Sequence, residues 1–324
     1  MVSHVGYNSN HDVYLSATEH AIAGAVSGMI TRGLVQPLDV LKIRFQLQVE
    51  PTSKRGGGLY HGVFQSMLKI IRTEGVQGLW KGHIPAQILS VSYGVGQFGS
   101  YAVLTKAVND VSKGQTQLTA ICGGLAGMCG TLVSMPCDVV RTRLVAQGTP
   151  KLYSGVMDAW IKIVRHEGPL SLWKGLLPTL AMSAPQTALI FYFYSGLLGV
   201  IVKLIGDSDS AESPWLSAAA ISGSAAGAAA KVCVYPLDVL KKRMQIIGFE
   251  KARSQFGKVV VYENAWKCIL SITREEGLKA WFKGLWPSVL KGAASSGVIF
   301  VSYEAVCNGF AHIHKDDVND SNNP

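Results

Sequence analysis

The chain has 324 residues, of which 48% are hydrophobic and only 16% charged; 30 Lys and Arg against 21 Asp and Glu give a net charge of +9. A soluble globular domain averages about 25% charged residues, so an ordinary hydrated surface is excluded, as is a highly charged disordered chain. The positive surplus suits nucleic acid, an anionic membrane surface or an anionic solute.

Residues 1–17 lack an apolar signal core, and the first Lys or Arg is Arg32. They are expected to be a flexible lead-in without a secretory signal or an Arg-rich transit peptide. Four long runs then carry no Asp, Glu, Lys or Arg: Gly82–Thr105, Gly114–Cys137, Gly175–Val202 and Ser213–Ala230. A membrane-spanning helix needs roughly 20 mostly apolar residues. Two shorter runs, His20–Thr31 and Gly292–Tyr303, each abut one basic residue and bring the expected spans to six. A soluble helical repeat protein would need charges along an outer face, and the 28-residue run from Gly175 to Val202 supplies none. The spans also exclude a nucleic-acid module.

Three units repeat along the chain. Pro37-Leu-Asp39-Val-Leu-Lys42-Ile-Arg44 recurs as Pro136-Cys-Asp138-Val-Val-Arg141-Thr-Arg143 and as Pro236-Leu-Asp238-Val-Leu-Lys241-Lys-Arg243. Downstream come Glu74-Gly75 with Trp80-Lys81-Gly82, Glu167-Gly168 with Trp173-Lys174-Gly175, and Glu276-Gly277 with Phe282-Lys283-Gly284. Upstream, Gly24/Gly28, Gly123/Gly127 and Gly223/Gly227 have the GxxxG spacing that lets helices approach closely in lipid. Short amphipathic helices are expected over Tyr60–Thr73, Tyr153–His166 and Tyr262–Arg274. Basic residues such as Lys69, Arg72, Lys162, Arg165, Lys267 and Arg274 cluster there, which places these segments on one side of the membrane and both termini on the other. The boundaries read as a lead-in 1–17, repeats 18–112, 113–206 and 207–311, and a polar, frayed tail 312–324. The six cysteines form no CxxC pair and meet no His cluster, so they are expected to pack as apolar residues without disulfides or metal.

The tripled Pro-x-Asp-x-x-Lys/Arg-x-Arg with Glu-Gly-x4-aromatic-Lys-Gly resembles the mitochondrial carrier family over about residues 17–310. The resemblance implies an all-α membrane protein, with six transmembrane helices in three pseudo-threefold repeats and short helices on the matrix side. It also implies antiport by alternating access across the mitochondrial inner membrane, with both termini facing the intermembrane space. Stretches 31–48, 80–98, 141–148 and 248–257 are similar to members that move thiamine pyrophosphate. A nucleotide or coenzyme A exchanger of the same family stands as the alternative. No cofactor is expected, and a monomer with bound cardiolipin is.

The family likeness implies a matrix gate pairing Asp39 with Arg141, Asp138 with Lys241 and Asp238 with Lys42, on helices kinked by Pro37, Pro136 and Pro236. Gln46 and Gln245 stand where the family braces that gate, and unit two has Val145. At the opposite gate, Tyr101, Tyr194 and Tyr303 keep the aromatic, but only Glu304 keeps an acid. The unloaded protein is therefore expected to rest with its cytosolic side open.

Arg32 and Lys231 lie five residues before their prolines, with Thr131 at the equivalent place. Lys291 lies seven residues beyond Gly284, where the other units have Leu89 and Met182. Arg32 and Lys231 share a symmetry-related level, and the family likeness implies that Lys291 faces the same cavity; three uncompensated cations there would be costly, which points to an anionic ligand with phosphate groups. Tyr93, Gln97 and Gln186 extend the same helix faces as candidate ligand contacts, and Tyr93 or Phe191 offers a ring for a cationic heterocycle. No P-loop, GxSxG, HExxH or dinucleotide fingerprint occurs, so no enzyme is expected.

Overall fold

The computed structural model describes residues 16–52, 57–111, 116–148, 151–205, 214–249, 252, 260–262 and 264–321. Among them there is no strand, and nine α-helices repeat one plan three times. The first unit is α1 (Ala17–Leu47), α2 (Val63–Glu74) and α3 (His83–Val111). The second is α4 (Thr116–Ala146), α5 (Val156–Glu167) and α6 (Leu176–Ile205), and the third is α7 (Pro214–Gln245), α8 (Ala265–Ser271) and α9 (Leu285–Ser321). The expected boundaries at 112/113 and 206/207, and most of the stretch 248–257, lie outside the described residues.

The short helices begin later than the amphipathic pattern implies. Gly62 and Gly155, in extended backbone, start α2 and α5. Tyr60 and Tyr153 stay outside the helices, where the side-chain amides of Gln48 and Gln147 bind their backbone N–H and carbonyl groups. In unit three, α8 passes at Ile272 into a wider π turn reaching Glu276. The expected frayed tail is instead helical to Ser321. His314 anchors it, with Nε2 2.6 Å from Oε1 of Glu19. Glu19 in turn closes a capping box with Ser16 at the start of α1.

The six long helices encircle a central space in the order α1, α3, α4, α6, α7, α9. Packing is most extensive across the unit junctions, α3 on α4, α6 on α7 and α9 on α1. Their outer faces are apolar. On α3, Ile84, Val91, Val95 and Phe98 are all at least 66% exposed and form a continuous stripe suited to acyl chains. By length and composition alone, the segments Ile121–Ala146 and Pro169–Ile201 qualify as membrane spans. The other long helices carry polar residues such as Arg32, Asp39 and Lys42 on α1, which lower their hydropathy without removing their apolar faces.

The described core lies at one end. Val40, Leu41 and Phe45 of α1 join Val140 and Val145 of α4, Ile70 of α2, Ile163 of α5 and Phe249 in one buried cluster. Here the C-terminal halves of α1 and α4 and the short helices converge, while the opposite half is hollow.

The GxxxG glycines are not the packing face. A Cβ at Gly24, Gly28, Gly123 or Gly227 would meet nothing within 4 Å. The buried small residues lie one position earlier: Ala23 and Ser27, Cys122 and Ala126, Ser222 and Ala226, each at most 3% exposed. One residue turns a helix by about 100°, so the glycines face open space. The closest glycine contact between helices joins α3 and α4, where a Cβ at Gly96 would lie 3.0 Å from Gly130 Cα. The six cysteines are free, and Cys233 is exposed rather than packed. Burial pushes the Cys268 thiol on α8 up to about 12.

The glycine of each Lys-Gly pair has a distinct duty. Gly82, Gly175 and Gly284 have φ of 77°, 87° and 84°. A Cβ there would lie 3.3, 3.0 and 2.9 Å from the backbone carbonyls of Arg141, Lys241 and Lys42, each in the adjoining unit. Gly284→Ala is therefore expected to destabilise the purified protein by ~1–3 kcal/mol, since it adds backbone strain to that contact. Gly24→Ala, in open helix, should stabilise by up to ~1 kcal/mol. Thermal unfolding in detergent reads both, and equal behaviour of the two variants would contradict the assignment.

Candidate functional site

Where α1, α4 and α7 converge, three aspartates form a ring. Asp39, Asp138 and Asp238 are 7%, 6% and 4% exposed. Each meets a base on a neighbouring unit: Asp39 with Arg141 at 2.6 Å, Asp138 with Lys241 at 2.8 Å, and Asp238 with Lys42 at 2.7 Å. The prolines lie inside continuous helices two residues before these aspartates.

Every ring aspartate also holds a second cation. Lys291 of α9 is 2.8 Å from Asp39, Lys242 is 2.9 Å from Asp138, and Lys231 is 3.1 Å from Asp238. The expectation of three uncompensated lumen charges is thereby corrected for two of them. Lys231 stands seven residues, about two helical turns, before Asp238, so its long side chain lies along α7 onto the carboxylate. Lys291 reaches across from α9. Arg32 takes another course, with Nη1 donating to the carbonyl of Ala86 at 3.3 Å.

A cavity of about 330 Å³ sits on the ring. Lys231, Lys291, Tyr93, Thr131, Leu89 and Met182 line it with the ring residues, whereas Arg32, Gln97, Gln186 and Phe191 do not. Four residues advance a helix by about 400°, so each step from Leu89 to Tyr93 to Gln97 rotates the side chain about 40° further from the cavity. Gln97 has turned into the α3–α4 junction, where its Cβ would lie 3.1 Å from a Cβ at Gly130. Phe191 is 69% exposed. Thr131 directs its hydroxyl to its own helix, donating to the Gly127 carbonyl at 2.9 Å. The cavity lining contains Lys42, Arg141, Lys231, Lys241, Lys242 and Lys291 against three aspartates, a net of +3.

The two glutamines differ. Gln245 donates to Asp138 at 2.8 Å and accepts from Lys242 at 2.9 Å and from Thr142 at 2.6 Å. Gln46 touches no ring ion among the described residues. It donates to the Tyr235 hydroxyl at 3.1 Å, which donates to the Lys283 carbonyl at 3.1 Å. Tyr235, one residue before Pro236, thus links Gln46 to the Lys283 turn. Sequence reasoning missed both Lys242 and Tyr235. The signal for Lys242 was its replacement of Ile43 and Thr142 at the equivalent position in the other units.

At the far end no acid–base ring forms at the three tyrosine positions among the described residues. Tyr303 hydrogen-bonds His20 of α1 at 2.8 Å instead.

Beyond the ring, a second tripled network ties each short helix down. Arg44, Arg143 and Arg243 make forked contacts to Glu74, Glu167 and Glu276, with the second arms at 2.7, 2.9 and 2.8 Å. Lys81, Lys174 and Lys283 share the same carboxylates, and the arginines also reach the hydroxyls of Tyr60, Tyr153 and Tyr262. Burial alone would raise the Glu74 and Glu167 carboxyls. The hydrogen bonds and charges of the arginine and of Lys81 or Lys174 together outweigh it and hold both below the usual carboxylate range. Among the described residues no group of His, Cys, Asp and Glu has the geometry of a metal site.

The chain was compared with known proteins. The family model of mitochondrial carrier protein matches residues 14–112, 113–203 and 212–313. The mitochondrial thiamine pyrophosphate carrier of Bos taurus is 43% identical over 318 residues, covering 97% of this chain and 99% of that protein. The human protein of the same name is 44% identical, covering 90% and 91%. Mitochondrial thiamine pyrophosphate carrier 1 of Phaeosphaeria nodorum is 34% identical, covering 93% and 95%.

Gln245→Leu strips three polar partners and should cost ~3 kcal/mol or more, whereas Gln46→Leu leaves Tyr235 bonded to Lys283 and should cost ~1 kcal/mol. Unfolding midpoints of the ligand-free protein compare them, and equal losses would refute the difference in role. The depressed Glu74 and Glu167 carboxyls contribute stability that is fully present above their unfolded value of about 4.3 and lost as pH falls through the folded value. A Glu74→Gln/Glu167→Gln variant should be less stable at pH 7, and the gap to wild type should narrow as pH falls below about 4.3. A pH-independent gap would contradict this linkage.

Proposed function

The chain belongs to the mitochondrial carrier family, and from that premise we propose that it exchanges thiamine pyrophosphate for a matrix thiamine phosphate or nucleotide across the mitochondrial inner membrane. The observation that carries this reading is the second cation on every ring aspartate, which leaves the cavity at +3 with all three ion pairs made. The surplus suits a diphosphate. A phosphate monoester carries roughly −1.5 to −2 at neutral pH, and a diphosphate somewhat more. The identity to carriers named for thiamine pyrophosphate supports the same substrate here.

The ring is the matrix gate and the cavity is the ligand site. A diphosphate entering from the cytosolic side meets Lys231 and Lys291, which hold Asp238 and Asp39 while the site is empty. Its oxygens compete with these carboxylates for the two lysines. Tyr93, 36% exposed on the cavity wall, offers its face to the thiazolium ring by cation–π attraction. One close ion pair at 4 Å is worth ~4 kcal/mol at an effective dielectric of 20, before desolvation. Inverting a two-state population from 1:99 to 99:1 takes ~5.5 kcal/mol of differential affinity. Two such contacts are thus of the right size to offset loosening of the ring. An empty carrier lacks that compensation, so exchange is favoured over one-way flux.

With the ring closed and no acid–base lock opposite among the described residues, the unloaded carrier rests open to the cytosolic side. Both termini then lie in the intermembrane space, and the short helices lie in the matrix. The carrier works as a monomer with no cofactor. Cardiolipin headgroups fit the helix starts at Gly62 and Gly155 beside the Lys-Gly turns.

In liposomes, labelled thiamine pyrophosphate should enter faster when the interior holds thiamine phosphates than when it is empty. The Arg32→Gln/Lys231→Gln/Lys291→Gln variant, correctly inserted, should lose that exchange. Wild-type uptake unaffected by internal thiamine phosphates but driven by internal coenzyme A would favour the alternative substrate class.

A further inference from the structure

Proline at position i of a helix has no N–H for the carbonyl at i−4. Pro37, Pro136 and Pro236 therefore release the carbonyls of Gly33, Leu132 and Val232 within α1, α4 and α7. In lipid such a group costs several kcal/mol unless a neighbour satisfies it. Two of the three are satisfied by the same device. The indole Nε1 of Trp80 donates to the Gly33 carbonyl at 2.9 Å, and that of Trp173 donates to the Leu132 carbonyl at 3.0 Å. Both indoles belong to the aromatic-Lys-Gly turn that opens the next long helix, so each ties that turn to the kink of its own unit. In unit three the aromatic is Phe282, which has no donor. Among the described residues no side chain donates to the Val232 carbonyl, and Val232 is 38% exposed.

We propose that Trp80 and Trp173 are positioning residues that clamp the proline kinks of α1 and α4, and that the absence of this clamp makes the kink of α7 the compliant hinge of the ring. The placement of charge gives the asymmetry a consequence. Asp238, Lys241 and Lys242 all stand on α7 beyond its kink, so two of the three ring junctions ride on the unclamped arm. Opening then begins with α7, while α1 and α4 keep their bends.

Hydrogen–deuterium exchange on the full-length, ligand-free carrier tests this without depending on the substrate. In the wild type, amides flanking the kink over 228–240 should exchange at least about fivefold faster than those over 29–41 and 128–140, the equivalent of one net hydrogen bond. Phe282→Trp should slow the α7 segment by a similar factor, raise the unfolding midpoint and slow exchange in liposomes. Trp173→Phe should speed the α4 segment and leave α7 as it is. Equal exchange in the three wild-type segments, or an α7 segment unchanged in a folded Phe282→Trp variant, would overturn the proposal. Failure of thiamine pyrophosphate transport with this exchange pattern intact would overturn only the substrate reading.

Discussion

A carboxylate buried in a membrane bundle must be paired, because its charge loses far more hydration than hydrocarbon returns. Here three such carboxylates are placed at one level, and each is held by two cations rather than one. The first cation comes from the adjoining unit and closes the ring. The second leaves the ring with more positive charge than closure needs. In the proposed reading, the ring binds itself shut and attracts an anion with the same side chains.

The second cations are not equivalent. At Asp39 and Asp238 they are Lys291 and Lys231, whose side chains are 34% and 23% exposed, so in the proposed reading a ligand can take them. At Asp138 the second cation is Lys242, which Thr142 and Gln245 hold as well. Two junctions are thus exposed to competition from a ligand, and the third is internally braced. The same departure from threefold symmetry recurs in the clamps, where unit three has Phe282 in place of tryptophan. A symmetric fold carries an unsymmetric set of couplings, concentrated on α7.

The base of the bundle explains how a hollow protein stays folded. The apolar cluster, the tripled Arg–Glu–Lys network and the Lys-Gly turns all lie on one side of the ring. Gly284 rests on the carbonyl of Lys42, so the turn of one unit bears directly on the helical turn carrying another unit's ring base. Arg143 adds contact between units: it donates to the Gln245 carbonyl at 3.1 Å and lies 5.7 Å over the Phe249 ring. Movement of the ring is thereby linked to the short helices, while the walls above remain free to bend.

The closing of the aspartates into a ring was implied by the family likeness, while the sequence by itself determined the three units, the six long helices and the lipid-facing composition. These follow from local periodicity, the absence of charge and a tripled motif, which survive without knowledge of contacts. The non-helical backbone at Tyr60 and Tyr153 was hidden, because side-chain amides from Gln48 and Gln147 bind it and override the amphipathic pattern. So was the true packing face: Ala23 and Ser27 lie one residue from the conspicuous glycines, and a 100° rotation is invisible to spacing alone. Only the tertiary structure decided where long side chains end. It brought Lys231 and Lys291 onto aspartates, turned Gln97 into a helix junction, gave Gln46 to Tyr235, and set Trp80 and Trp173 on carbonyls more than 40 residues away. Lysine, glutamine and tryptophan reach several ångströms from their backbone, so their partners depend on which helices come together in space.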